Sequence, residues 1–168
     1  MLFRSYFCIK DDLTATVERN RPQWPAGEYC IYKKGYSCPY GLLSGWVFWD
    51  DEDRRNKNAH GGVLPEGEFN RNTKIYFCCQ NTFNRYKEPI ELPFASPFYL
   101  MAFRPRCQDV LYTIHKKEHI IYDTEDDDNT DDKSFPYPYG ADFQLPQIYY
   151  CYYRGTVLPF HQVLACNN

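Results

Sequence analysis

The sequence predicts an all-β fold, a disulfide-stabilised sandwich or barrel of two pseudo-repeated halves with little helix. Three observations carry that prediction. Aromatic residues are dense, with 16 Tyr, 12 Phe and 3 Trp in 168 residues, and rings pack well on half-buried pleated surfaces. Strand-length apolar runs alternate with Gly, Pro and Asn/Asp punctuation, and no stretch of ten residues has helical period. The chain also repeats itself at an offset of 73 residues, Trp49-Asp50-Asp51-Glu52-Asp53 through Asn56 matching Tyr122-Asp123-Thr124-Glu125-Asp126 through Asn129. The same offset carries Ile75 and Cys78 onto Ile148 and Cys151. One domain of two related halves follows, spanning about 29–80 and 104–154, each a strand, an acidic loop and a returning strand.

Taken in order, Leu2 to Lys10 reads as a strand and is followed by a polar loop to Arg21. Trp24-Pro25-Ala26-Gly27 makes a turn, because Pro presets one turn position and Gly tolerates the other. Strands are expected at Tyr29–Lys33 and Gly45–Trp49, separated by the turn Cys38-Pro39-Tyr40-Gly41. Gly61, Gly62, Pro65 and Gly67 supply further turns before the returning strand Lys74–Gln80. Pro97–Phe103, Leu111–His115 and His119–Tyr122 are the next strands, and the second acidic loop leads through Pro136-Tyr137-Pro138-Tyr139-Gly140 to Gln147–Tyr152. Val157–Ala165 closes the chain.

Eight cysteines stand at positions 8, 30, 38, 78, 79, 107, 151 and 166, with no Cys-x-x-Cys. Zinc sites use closely spaced pairs, so a disulfide framework and an extracellular setting are the better reading. No signal peptide is visible at the start of the sequence, and no run is long enough to span a membrane. Adjacent strand residues point to opposite faces, so Cys78 and Cys79 need partners on different sides of a sheet. If the halves are equivalent, Cys38–Cys78 and Cys107–Cys151 are natural bridges within each repeat. Cys8, Cys30, Cys79 and Cys166 stay unassigned, since eight cysteines allow 105 pairings.

A net charge of -3 gives no basic face for nucleic acid. The acidity is local: seven carboxylates fall between Asp123 and Asp132, and unit charges a few ångströms apart repel by about 1 kcal/mol even in water. Asp50, Glu52, Asp53 and Asn56 in the first loop, and Asp123, Glu125, Asp126 and Asn129 in the second, could ligate calcium through oxygens. The alternative, which is preferred, is a structural turn in which Asp and Asn bond the backbone. Neither loop has the Gly and Glu positions of an EF-hand. No catalytic motif stands out. Gly41-Leu42-Leu43-Ser44-Gly45 lacks the Gly two residues before Ser that a nucleophile elbow needs, and His115 with His119 does not form His-Glu-x-x-His. Paired carboxylates for glycoside cleavage, Glu52 with Asp53 or Glu125 with Asp126, would lie in hydrated loops that would not hold one protonated. The chain reads as a binder rather than an enzyme. Trp24, Trp49, Tyr122, Tyr137 and Tyr139 are its candidate ligand contacts, because Tyr and Trp offer a flat apolar face and a polar tip that suit sugars.

The chain resembles the apextrin C-terminal domain, the ApeC family. The resemblance rests on Phe7-Cys8-Ile9-Lys10, Trp24 to Gly35, Cys38-Pro39, Trp49 to Asn58, Gly61 to Gly67, Asn72 to Cys79, Ile90-Glu91-Leu92-Pro93, Pro97 to Leu100, Cys107-Gln108 and Tyr150 to Tyr153. These stretches run in family order over nearly the whole chain, and the Trp-Asp-Asp-Glu-Asp loop and the Lys-Ile-Tyr-Phe-Cys-Cys strand are the most specific. The second acidic loop is longer and more acidic than the family leads one to expect, Pro136-Tyr137-Pro138-Tyr139 replaces a simpler His-Pro-Tyr-like stretch, and Cys166 lies beyond the usual end. The resemblance implies an extracellular, cysteine-rich module of innate defence that recognises bacterial cell-wall glycan such as peptidoglycan. It also implies an alternative, an adhesion or matrix module, or the ancillary domain of a perforin-like protein, whose partners are other extracellular proteins. It supplies no catalytic residue.

Overall fold

In the computed structural model the described residues are 24–51, 59–82, 88–122, 124 and 130–156. They form eight strands and no helix: β1 (Glu28–Tyr32), β2 (Leu43–Trp49), β3 (Gly67–Phe69), β4 (Thr73–Asn81), β5 (Phe98–Ala102), β6 (Thr113–Ile121), β7 (Asp132–Ser134) and β8 (Gln147–Gly155). All belong to one antiparallel sheet, ordered β6-β8-β5-β1-β4-β2-β7, with β3 also on β4. No ladder joins β6 to β7, so the ring is not closed, and no second sheet opposes the first among the described residues. The expected strand Leu2–Lys10 and the closing segment Val157–Ala165 lie outside those residues.

The sequence suggested two short strands, at 111–115 and 119–122, where the structure has the single nine-residue β6. The polar run Lys116-Lys117-Glu118 hid it. As the sheet's edge, β6 pairs with β8 alone from Thr113↔Gly155 to Ile121↔Gln147, so its ladder holds without an alternating apolar pattern, and charge suits an edge. The short β3 and β7 carry no signal of their own and owe their strand geometry to β4 and β2.

The long strands are arranged in two matching sets about the β1–β5 seam: β1, β4, β2 on one side and β5, β8, β6 on the other. Adding 73 to both members of Trp46↔Tyr76 gives His119↔Tyr149, and both are ladder pairs. Shifting β1 by 69 instead turns Ile31↔Cys78 into Leu100↔Cys151. The two shifts together turn the Cys38–Cys78 bridge into the Cys107–Cys151 bridge. Both bridges read from the sequence are therefore present. The third joins Cys30 to Cys79, so Cys78 and Cys79 do bond on opposite faces. Cys8 and Cys166 lie outside the described residues.

Each face of the sheet carries a core. One gathers Tyr29, Leu42, Cys78, Leu100, Cys107, Cys151 and Tyr153, capped by Ile90 and Val110 from the segment between β4 and β6. The other gathers Cys30, Val47, Trp49, Phe77, Cys79, Met101 and Ile148 with Ala141. Gly45 of β2 is needed here, because a Cβ would lie 1.9 Å from the Pro136 carbonyl oxygen. That close approach seats the Pro-Tyr-Pro-Tyr segment on the sheet.

Candidate functional site

Two places in the fold concentrate polar and aromatic groups. The first is the junction of the acidic loops. Between β6 and β7 the chain crosses from one sheet edge to the other, and on the way it meets the end of β2. Trp49 and Tyr122, the aromatics that open the two acidic loops, stack with centroids 5.4 Å apart and planes 12° apart. Just beyond, the Asp50 N–H donates to Asp131 Oδ1 at 2.7 Å, and Asp50 Oδ2 accepts from the Thr130 hydroxyl at 2.6 Å and the Thr130 N–H at 3.2 Å. Asp51 Oδ2 accepts from the Thr73 hydroxyl. Asp50 Oδ1 is buried with no hydrogen-bond partner among the described residues.

Carboxylates at this junction therefore tie loop to loop by accepting backbone and hydroxyl hydrogens, the structural use of Asp in turns. Among the described residues no group of three or more His, Cys, Asp and Glu is arranged to hold a metal. Glu52, Asp53, Asn56, Asp123, Glu125, Asp126 and Asn129 lie outside the described residues. His115 and His119 share a strand face but stand four residues apart, about 13 Å along a strand, too far to share an ion.

Trp49 is a core residue, not a surface platform: it is 2% exposed and its indole N–H donates to the Ala141 carbonyl at 2.9 Å. Tyr122 covers it, with its hydroxyl 3.4 Å from that of Tyr150, which in turn lies 2.6 Å from Tyr32. Burial pushes the Tyr32 and Tyr150 hydroxyls far above the ordinary phenol value, so they stay neutral and bond one another. Trp24 is half-buried over Tyr29 at 6.1 Å, as a cover for the first core.

The second place is the segment after β7. Its alternation is strand-like: Pro136, Pro138 and Gly140 are buried, while Phe135 is exposed and Tyr137 and Tyr139 are half-exposed. Gly140 sits at φ +82°, where a Cβ would strike the Gln147 carbonyl oxygen, so the chain turns back toward β8 here. Phe135 packs edge-on against Tyr137 and Phe103. Tyr139 lies 5.3 Å from Phe143 and 5.5 Å from Tyr149. His119 packs on Tyr149 at 5.7 Å, and Lys117 Nζ stands 4.9 Å from the same ring centroid. Two aromatic groups result: Phe135 with Phe103 and Tyr137, packed on the second core, and Tyr139 with Phe143, Tyr149 and the Lys117–His119 edge of β6.

One polar cluster lies beside Tyr137. Asp142 Oδ2 accepts from Lys133 Nζ at 2.8 Å and from the Tyr137 hydroxyl at 3.0 Å. Partial burial alone would raise the Asp142 carboxyl, but the Lys133 and Tyr137 hydrogen bonds and the Lys133 charge outweigh it and hold it below its ordinary value. The hydrogen bond to Asp142 raises Lys133 against the smaller opposing effect of burial, and burial followed by the Asp142 bond raises Tyr137. At neutral pH the cluster is a carboxylate, an ammonium and a neutral phenol, a set that offers both donors and acceptors beside flat rings.

Of the five aromatic candidates read from sequence, the structure keeps Tyr137 and Tyr139 half-exposed on one segment, each in its own aromatic group, and puts Trp24, Trp49 and Tyr122 elsewhere. Sequence reasoning missed Phe135, Lys133, Asp142, Phe143, His119 and Lys117. The Pro-Tyr-Pro-Tyr alternation could have signalled Phe135 as one step further along the same face. Nothing local marks Asp142.

The family model of the C-terminal domain of apextrin matches residues 2–153. No curated protein and no solved structure matches the chain. Because the match covers most of the sequence and falls on an all-β, disulfide-rich fold, the chain belongs to the ApeC family.

Proposed function

We propose that this protein is an extracellular pattern-recognition module that binds bacterial cell-wall glycan, with peptidoglycan as its polymer, and that it acts as a binder without turnover. The observation that carries the reading is the half-exposed pair Tyr137 and Tyr139 on one short segment, Tyr137 beside Phe135, Lys133 and Asp142, and Tyr139 beside Phe143 and Tyr149. An exposed ring takes the apolar face of a pyranose, and neighbouring charged groups bond its hydroxyls. Family membership and three disulfides agree with an extracellular setting. No helix among the described residues is long and apolar enough to cross a membrane.

The test is a pull-down of oxidised protein on insoluble peptidoglycan, with chitin and cellulose as controls, run with calcium and again with EDTA. Retention on peptidoglycan that drops at least tenfold in Tyr139→Ala supports the reading and its site. Release by EDTA would make the acidic loops a calcium site, and retention in EDTA would leave them structural. Absence of retention on every polymer would remove the glycan reading in favour of protein partners.

A further inference from the structure

The Tyr139 group ends at a feature that the fold contains twice. On β6 and β8 the ladder pair His119↔Tyr149 carries Lys117 Nζ 4.9 Å from the Tyr149 centroid. At the matching place in the other half, the ladder pair Trp46↔Tyr76 carries Lys74 Nζ 4.0 Å from the Trp46 centroid and 5.4 Å from that of Tyr76. Lys33 Nζ adds a second ammonium 5.3 Å from Tyr76. All four separations lie within the range of cation–π attraction.

Both groupings face the same side of the sheet, since each is two residues along its strand from a bridged cysteine on that side, Cys78 or Cys151. Ile90, Val110 and Trp24 cover the middle of this face and leave its two ends. Trp46, Tyr76, Lys74 and Lys33 are half-exposed, and Lys117 and His119 are exposed. Following the sheet, the three strand steps from β4 to β8 separate the groupings by roughly 14 Å, with about 13 Å more along the strands.

Among the described residues neither Lys33 nor Lys74 lies within 4.0 Å of a carboxylate, although Glu68 stands opposite Lys74 in the β3–β4 ladder. At the other grouping, Lys117 Nζ bonds the neutral Pro105 carbonyl. Each ammonium lies over a ring with donor hydrogens to spare, which is complementary to a carboxylate on a sugar whose ring lies against the aromatic pair.

We infer that the module has two ligand platforms, Lys117–His119–Tyr149 and Lys74–Trp46–Tyr76 with Lys33, related by the two-fold arrangement of the sheet, and that each takes an amino sugar with a carboxylate beside it. The inference rests on the glycan-binding reading above and extends it from one site to two. Two platforms on one face let a single molecule bridge neighbouring glycan strands, which raises avidity without new contacts.

The probe is N-acetylmuramic acid, whose free lactyl carboxylate stands in for the stem-peptide carboxylates that hang from the same group in the polymer, with neutral N-acetylglucosamine as control, followed by heteronuclear NMR titration of the full chain. Lys74→Met and Lys117→Met remove the charge while retaining the apolar stem, so each variant keeps its fold, checked by an unchanged thermal midpoint. The expected result is two separate sets of shifting amides in the wild type, one around Trp46 and Tyr76 and one around Tyr149. Lys74→Met should erase only the first, Lys117→Met only the second, and either should abolish clumping of peptidoglycan particles while the pull-down persists. A single set of shifts in the wild type, or two sets that survive Lys74→Met, would overturn the two-platform inference while leaving glycan binding intact. Equal shifts with N-acetylglucosamine would overturn the carboxylate specificity. A wild type that fails the peptidoglycan pull-down would overturn both readings.

Discussion

The two halves of the sheet answer the same geometric question in different chemistry. Applying the shifts that relate them, Cys30–Cys79 in the first half becomes Tyr99–Tyr152 in the second, and both are directly opposed ladder pairs. The cysteines are fully buried and bridged. The tyrosine rings pack at 5.1 Å with Tyr99 53% exposed and its hydroxyl 3.4 Å from Glu118. Where the second core covers the ladder, a small apolar covalent link fits; where the same face is open, two amphipathic rings satisfy themselves with water and a carboxylate. The position in the ladder sets the need for a cross-strand link, and burial decides its kind.

That contrast can be broken by removing each link in turn. Cys30→Ala with Cys79→Ala opens a 49-residue separation and should lower unfolding stability by about 4 kcal/mol in the chain-entropy account, measured by denaturant titration without reductant. A loss below about 1 kcal/mol would show that the ladder alone holds the first half. Next in size is the tie between the loops. Thr130→Val removes the hydroxyl that donates to the buried Asp50 carboxylate and should cost about 2 kcal/mol; a neutral result would mean that another donor replaces it. The tyrosine pair should matter less. Tyr99→Ala with Tyr152→Ala is expected to cost about 1 kcal/mol, and a loss equal to that of the cysteine pair would end the distinction drawn here.

The smallest effect concerns the Lys133–Asp142 pair, whose side chains are 46% and 28% exposed. Solvent screening limits it to about 0.2–1 kcal/mol. Its pH window has a definite sign. Asp142 is held below its ordinary 3.8, so its contribution is present above that value and is lost as pH falls through the lower folded value. Lys133 is raised above its ordinary 10.5, so its contribution is present below that and is lost as pH rises further. Wild type and Asp142→Asn should therefore differ in thermal midpoint by a constant amount between about pH 5 and pH 9 and converge below pH 3; a difference that changes within the plateau would assign the effect to another group.

What could be read from the sequence was periodic or punctuated. The all-β class, β1, β2, β4, β5 and β8, and two of the three bridges were legible, because Pro and Gly mark turns and cysteines at matched offsets mark bridges. β6 was split because an edge strand owes its geometry to β8 and shows charge where a buried strand would show apolar residues. The candidate site was half visible in Tyr137 and Tyr139. The rest depends on Tyr149 of β8, with His119 of β6 against it, meeting Tyr139 from a distant part of the chain, and such long-range placement leaves no local mark. Trp49 illustrates the converse: an aromatic beside an acidic loop looks like a ligand contact, yet the loop crossing between the sheet edges brings Tyr122 over it and seals it in.

The β1–β5 seam joins the halves through Tyr29↔Ala102 and Cys30↔Met101, a register that runs on to set Ile31 against Leu100, the very residues that correspond between the halves. A strand lying antiparallel to its own counterpart about such a point is the arrangement found at the interface of a two-fold symmetric dimer, where one surface recognises itself. The molecule is in that sense a dimer written into a single chain. Covalent linkage frees its two halves to diverge at matched positions, one locked there by sulfur and the other left open to water, a division of labour that two identical subunits could not adopt.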